Sequence, residues 1–198
     1  MRQTARSPHG FTLIETLMVL LTISALLAVS MVVLPGVIGA AKSDSGTLQL
    51  ASLLRTCREQ SITQRRNMQV VFVEPDVARC FRRELDVDGA GAIIESGALT
   101  LVDEALFEQG VTYQRFPGIQ PADTPNAFAA GNGSREFTGA GPWWFTPEGT
   151  FVDASGDVTN GTLFLGQAQR PETARAITVF GATSLIETWQ WNGSAWVE

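Results

Sequence analysis

The sequence predicts an α+β chain in which a long N-terminal transmembrane helix packs, by its later part, on a C-terminal antiparallel β-domain. Three observations predict it. Residues 11–34 form one long apolar run, an apolar stripe at helical spacing returns between Leu50 and Cys57, and short apolar runs punctuated by Gly and Pro follow residue 68. The 198 residues, 44% of them hydrophobic, suit one membrane segment and one compact domain. About 130 residues follow the helical region, enough to bury a core. Nineteen Gly and nine Pro call for many turns, which favours strands over further helices.

The N-terminus is the most informative part. Residues 1–10, Met-Arg-Gln-Thr-Ala-Arg-Ser-Pro-His-Gly, are short, polar and basic. Eighteen of the 24 residues from Phe11 to Leu34 are apolar, and at 1.5 Å per residue they make a helix of roughly 36 Å, long enough to span a bilayer. An ordinary signal peptide has a shorter apolar core with a small-residue cleavage site behind it. Here the run is too long and no Ala-x-Ala site clearly ends it. A plain signal anchor fits the length but leaves Glu15 unexplained, because a carboxylate in a spanning helix costs roughly 2.5–3.5 kcal/mol. Arg2 and Arg6 precede the run and only Lys42 follows closely, so the N-terminus stays cytoplasmic and the C-terminal domain faces the periplasm.

The run Gly10-Phe11-Thr12-Leu13-Ile14-Glu15 resembles the type III signal of type IV pilins and type II secretion pseudopilins. The resemblance implies that a prepilin peptidase cuts after Gly10 and methylates the new N-terminal Phe11, leaving the apolar helix as an anchor in inner-membrane lipid. It implies also that Glu15 pairs with the N-terminal amine of a neighbouring subunit, which offsets the cost of burying a charge in lipid. The segment from Leu53 to Asn67, running into Met68-Gln69-Val70-Val71-Phe72, is similar to the helix end and first strand of the GspH/FimT branch. Together the two regions cover the first third of the chain. The implied division is a leader at 1–10, a transmembrane helix at 11–34, a periplasmic continuation of the helix at 35–67 and a periplasmic β-rich domain at 68–198.

Along the rest of the chain, Pro35 and Gly36 are expected to end or kink the first helical stretch, and Gly39 and Gly46 to keep it pliable. Leu50, Leu53, Leu54 and Cys57 then form one stripe, with Arg55, Arg58, Glu59, Arg65 and Arg66 on a solvated face or against neighbouring subunits. Strands are expected at 68–73 and 78–87 around Glu74-Pro75-Asp76, and at 99–102 and 111–116. Two more, 143–145 and 151–152, flank a turn at Pro147-Glu148-Gly149, and the last are 162–165, 176–180 and 185–191. Asn192-Gly193 reads as a two-residue hairpin turn joining Trp189-Gln190-Trp191 to Ser194-Ala195-Trp196. Residues 117–142, with four Pro and five Gly, read as a long irregular loop, either a partner contact or mere surface.

The remaining constellations bound the chemistry. The formal charge is −6, and since Arg2 and Arg6 lie in residues 1–10 the remainder carries −8, a poor match for nucleic acid. His9 is the sole histidine, so a chain cut after Gly10 has no Ser-His-Asp or Cys-His catalysis and no His-based zinc site. Cys57 and Cys80, the two cysteines, are a candidate disulfide in an oxidising periplasm, the alternative being two buried thiols. Asp86-Val87-Asp88-Gly89 starts like a calcium loop but lacks the later ligands, so it reads as a hairpin turn. Trp143, Trp144, Trp189, Trp191 and Trp196 suit a β-core or subunit interface better than stacking on bases or sugars. DNA-uptake members of the FimT branch carry a C-terminal Gly-Arg-x-Arg motif, whereas Gly181-Ala182-Thr183-Ser184-Leu185-Ile186-Glu187 here has no Arg, leaving only Arg170 and Arg175 nearby. The expected function is structural: a minor pseudopilin of a type II secretion pseudopilus near its tip or initiation complex. It works with other pilin or pseudopilin subunits and the prepilin peptidase, without enzyme activity, cofactor, metal or nucleic acid. The alternatives are a minor type IV pilin acting in pilus assembly or DNA uptake, and a membrane-anchored enzyme or sugar-binding module.

Overall fold

The computed structural model describes residues 12–108, 110–116, 118–119, 125–128, 131 and 133–198. One helix, α1 (Leu13–Gln64), is followed by eleven strands among the described residues. The chain divides into two compact units, residues 1–38 and 39–198.

In the first unit α1 is apolar all round. Leu13–Met31 is long and apolar enough to cross a membrane, and none of it is buried in the protein. Thr12 is the N-cap: its Oγ1 accepts the Glu15 N–H at 3.3 Å, and its carbonyl accepts from Thr16 at 3.2 Å. The hydroxyls of Thr16, Thr22, Ser24 and Ser30 donate back to carbonyls three or four residues earlier, so these hydroxyls are satisfied within the helix. The helix does not end at Pro35 but runs through it. Proline removes one backbone donor, and the turns on either side supply enough bonds to carry the helix across.

In the second unit α1 becomes one-sided. Ser43, Thr47, Leu50, Ala51, Leu54, Cys57 and Ser61 are buried at spacings of three and four, and Leu53 is buried beside them. Gly39 and Gly46 act here by being small rather than by loosening the helix. A Cβ on Gly39 would sit 2.9 Å from Gln167 Oε1 and 3.0 Å from Arg170 Nη1, and one on Gly46 would sit 3.2 Å from Val111 Cγ1. Both glycines let the helix backbone approach the β-domain closely.

The strands are β1 (Met68–Val73), β2 (Val77–Val87), β3 (Ile93–Leu106), β4 (Val111–Tyr113), β5 (Arg135–Phe137), β6 (Trp143–Phe145), β7 (Phe151–Val152), β8 (Gly161–Gln167), β9 (Arg175–Phe180), β10 (Leu185–Trp191) and β11 (Trp196–Val197). They form two antiparallel sheets, of order β3-β2-β1-β6-β7 and β11-β10-β9-β8-β4, with β5 paired to β8 off the second path. Met68, Val70 and Phe72 of β1, Phe145, Phe151, and Leu163, Leu165, Ile177 and Val179 of the second sheet share one core with the helix stripe. Arg135 ties the sheets together: Nη1 donates to the Phe72 carbonyl at 2.7 Å and Nη2 to Glu74 Oε1 at 2.8 Å.

Three expectations are corrected. β3 runs from Ile93 to Leu106, not only across 99–102. Its pairing with β2 shifts register between Cys80 and Phe81 and between Arg83 and Leu85, and Gly97 sits at φ +76°, which breaks the alternation that marks a strand. The 117–142 stretch is not wholly irregular, since it contains a short turn at Pro125–Ala127 and strand β5. Asn192-Gly193 is not a two-residue turn. Trp191 pairs with Trp196, so residues 192–195 form the loop, and Asn192 Oδ1 accepts from Ser194 N at 2.9 Å and Ala195 N at 2.8 Å. The other turns agree with the sequence: residues 88–92 close the β2–β3 hairpin, with Asp88 Oδ1 accepting from Ala90 and Ala92, and Pro147-Glu148-Gly149 closes β6–β7. The architecture is α+β: one long helix, apolar then amphipathic, whose later half packs in an antiparallel β-domain.

Candidate functional site

The N-terminal end of α1 carries Glu15 as the third residue of its first turn. A carboxylate there faces the free N–H groups of the helix end, where negative charge is favoured. Thr12-Leu13-Ile14-Glu15 is also the Thr-x-x-Glu signature of a capped helix start. The side chain is exposed, and among the described residues it forms no ion pair. Around it Leu13, Ile14, Leu17 and Met18 are exposed, so the carboxylate stands in an apolar surface. Gly10 and Phe11 lie outside the described residues.

In the second unit, helix and sheets are fastened by a disulfide, an ion pair and two arginine–carbonyl bonds among the described residues. Cys57, buried on the helix stripe, is disulfide-bonded to Cys80 of β2, with Cα atoms 5.9 Å apart. Arg175, on the central strand β9, is buried, and its Nε donates to Asp44 Oδ1 of α1 at 2.5 Å. Near the end of the helix, Arg55 Nη2 donates to the Ile186 carbonyl at 3.2 Å, and Arg58 Nε to the Gly149 carbonyl at 3.4 Å.

These contacts bear on the sequence alternatives. A phosphate-binding patch built on Arg170 and Arg175 has only one of them at the surface, because Arg175 is 2% exposed and held by Asp44 and the carbonyls of Glu172 and Ala174. The Arg170 guanidinium lies against the helix backbone at Gly39. The tryptophans take packing roles. Trp143 packs on Phe72 and Phe137, Trp144 lies under the Arg83 guanidinium at 4.6 Å, and Trp191 and Trp196 cover a small cluster of Phe116, Ile119 and Ala174. Trp189 donates its indole N–H to Thr178 Oγ1 at 3.0 Å.

The Asp44–Arg175 pair is not marked by any short motif. Its one signal is that Arg175-Ala176-Ile177-Thr178-Val179 reads as a strand buried on both faces, where a charge requires a partner.

No protein-family model and no curated protein matches the chain. Solved structures similar in fold include these two. One is the minor pseudopilin EpsH of the type 2 secretion system of Vibrio cholerae, at 9% identity and a TM-score of 0.43, covering 75% of this chain and 97% of that one. The other is the type IV minor pilin FimU of Pseudomonas aeruginosa, at 14% identity and a TM-score of 0.45, covering 78% of this chain and 92% of that one.

Proposed function

We propose that the chain is a minor pilin-like subunit, a pseudopilin of a type II secretion pseudopilus. It is made with the leader 1–10, cut after Gly10 by a prepilin peptidase, methylated at Phe11 and stored in the bacterial inner membrane with its C-terminal domain in the periplasm. It then joins other pilin or pseudopilin subunits near the tip or initiation complex of a short filament. The observation that carries this reading is the helix itself. An apolar rod with one exposed carboxylate in its first turn continues into the amphipathic helix of a disulfide-closed β-domain. The rod suits storage in lipid and packing beside like rods. The carboxylate suits a cation that arrives only on assembly, the Phe11 amine of a neighbour. Burial of Arg175 weighs against the DNA-uptake alternative.

The test is the N-terminus of the membrane-extracted protein, read by intact mass. Cleavage between Gly10 and Phe11 with one added methyl group is expected, and Gly10→Val should leave the leader attached. A mature chain that keeps Met1, or that starts beyond Leu34, defeats the reading.

A further inference from the structure

Arg55 and Arg58 stand one turn apart on α1 and, with Glu59, line an open groove of about 600 Å³ whose far wall is residues 183–186, the turn into β10. Both guanidiniums donate to backbone carbonyls, yet neither forms an ion pair among the described residues. Acids outnumber bases in this chain, 20 to 14, so a shortage of carboxylates does not explain it. A second, independent observation lies in the opposite wall. Ser184 is 3% exposed, its Oγ has no hydrogen-bond partner, and its φ of +50° is left-handed, which is uncommon for a non-glycine residue.

We propose that this groove receives a carboxylate side chain of a neighbouring subunit, held between Arg55 and Arg58. The proposal rests on the subunit reading above. Guanidiniums are weakly hydrated and present paired N–H groups that match a carboxylate, so the two unpaired cations favour such a guest. Glu59 at the rim selects further. It repels a polyanion such as a nucleic-acid backbone, tolerates a single carboxylate, and offers a pairing site for a Lys or Arg on the same partner.

The experiment places a photoreactive benzoylphenylalanine at the exposed Thr183 of the full-length chain in its native membrane, with a second reporter at Leu20 in the apolar helix. The adduct at 183 should map by mass spectrometry to a protein segment containing Asp or Glu. Arg55→Glu with Arg58→Glu should lower its yield by about tenfold or more, as expected for loss of a desolvated charge contact, while Arg55→Lys with Arg58→Lys should keep most of it. Reversing the mapped carboxylate to Lys in the partner alone should also abolish the adduct, and combining it with the double Glu variant should restore it. That arm leaves this chain's own fold untouched. An adduct released by nuclease, or one indifferent to both reversals, overturns the proposal. An adduct to another subunit at Leu20 with none at 183 overturns the groove but keeps the subunit reading, and none at either position defeats both.

Discussion

Arg175 Nε lies 2.5 Å from Asp44 Oδ1, and the two ends of this bond sit in different surroundings: the Arg175 side chain is 3% exposed and that of Asp44 is 52% exposed. The cation is therefore dry and its counter-charge is half wet. Two further donations, both from Nη1, go to the Ala174 carbonyl at 3.0 Å and the Glu172 carbonyl at 3.3 Å.

That asymmetry sets the outcome of cutting the pair. Asp44→Ala leaves a buried cation without a counter-charge and should lower unfolding stability by about 2–4 kcal/mol, towards the lower end because water can reach the vacated side. Arg175→Met, which removes the charge and keeps the volume, should cost less than Asp44→Ala. Urea unfolding of the two variants checks the order. Equal losses would show that the pair acts by packing alone.

Closing residues 57–80 restricts the unfolded chain. With a sequence separation of 23, the disulfide should contribute roughly 3 kcal/mol on the chain-entropy account. Cys57→Ala with Cys80→Ala should lower the unfolding midpoint accordingly and remove its sensitivity to reductant. Two readily alkylated thiols in freshly isolated protein would overturn the expectation.

Glu15 has a local role at the helix end and a proposed one in assembly, and the two separate by experiment. A favourable charge in the first helical turn is worth about 0.3–1 kcal/mol, too little to decide whether a subunit is incorporated. Glu15→Ala should still be inserted and cleaved but fail to crosslink to neighbouring subunits. Glu15→Gln, which keeps hydrogen-bonding capacity and loses the charge, should fail in the same way. If Gln restores assembly, the residue serves the helix end and no charge pair is used.

Tyr113 is the chain's sole tyrosine, and its hydroxyl donates to the Val77 carbonyl at 3.2 Å. Burial holds its ionisation well above the ordinary phenol range, the nearby Arg135 only partly opposing this. The folded state thus keeps a proton that the unfolded state releases at about pH 10. Stability from this group is complete below that pH and falls as pH rises above it. Phenolate absorbance should appear together with loss of structure, and Tyr113→Phe should make the alkaline side of the stability profile shallower. A phenolate signal in the still-folded protein would contradict this.

The parts of the fold that were legible in the sequence are those fixed by local chemistry. Leu50, Leu53, Leu54 and Cys57 could be read as one buried stripe because helical spacing alone places them there. Asp88 and Pro147-Glu148-Gly149 announced their turns through their own backbone preferences. β3 could be read only over 99–102, because two register shifts and Gly97 interrupt its alternation. Asn192-Gly193 misled because the side chain of Asn192 bonds the backbone two and three residues on, which stabilises a longer loop than the dipeptide usually makes. Asp44 and Arg175 lie 131 residues apart, and nothing local to either names the other. The Arg55–Arg58 groove was half visible, as two cations on a helix, while its opposite wall depends on where β9 turns into β10.

The bond between Cys57 and Cys80 has a mechanical consequence. A pull on the N-terminal end of α1 runs along the helix, and at Cys57 it can pass covalently into β2 without unthreading the helix end or β1. The segment between the two cysteines is thereby withheld from extension, which conceals roughly 80 Å of contour length at about 3.5 Å per residue. Stretched in a single-molecule trap, the oxidised protein should yield that much less length than the reduced one. Tension along this helix therefore enters the β-domain at Cys80 of β2, bypassing the residues between the two cysteines.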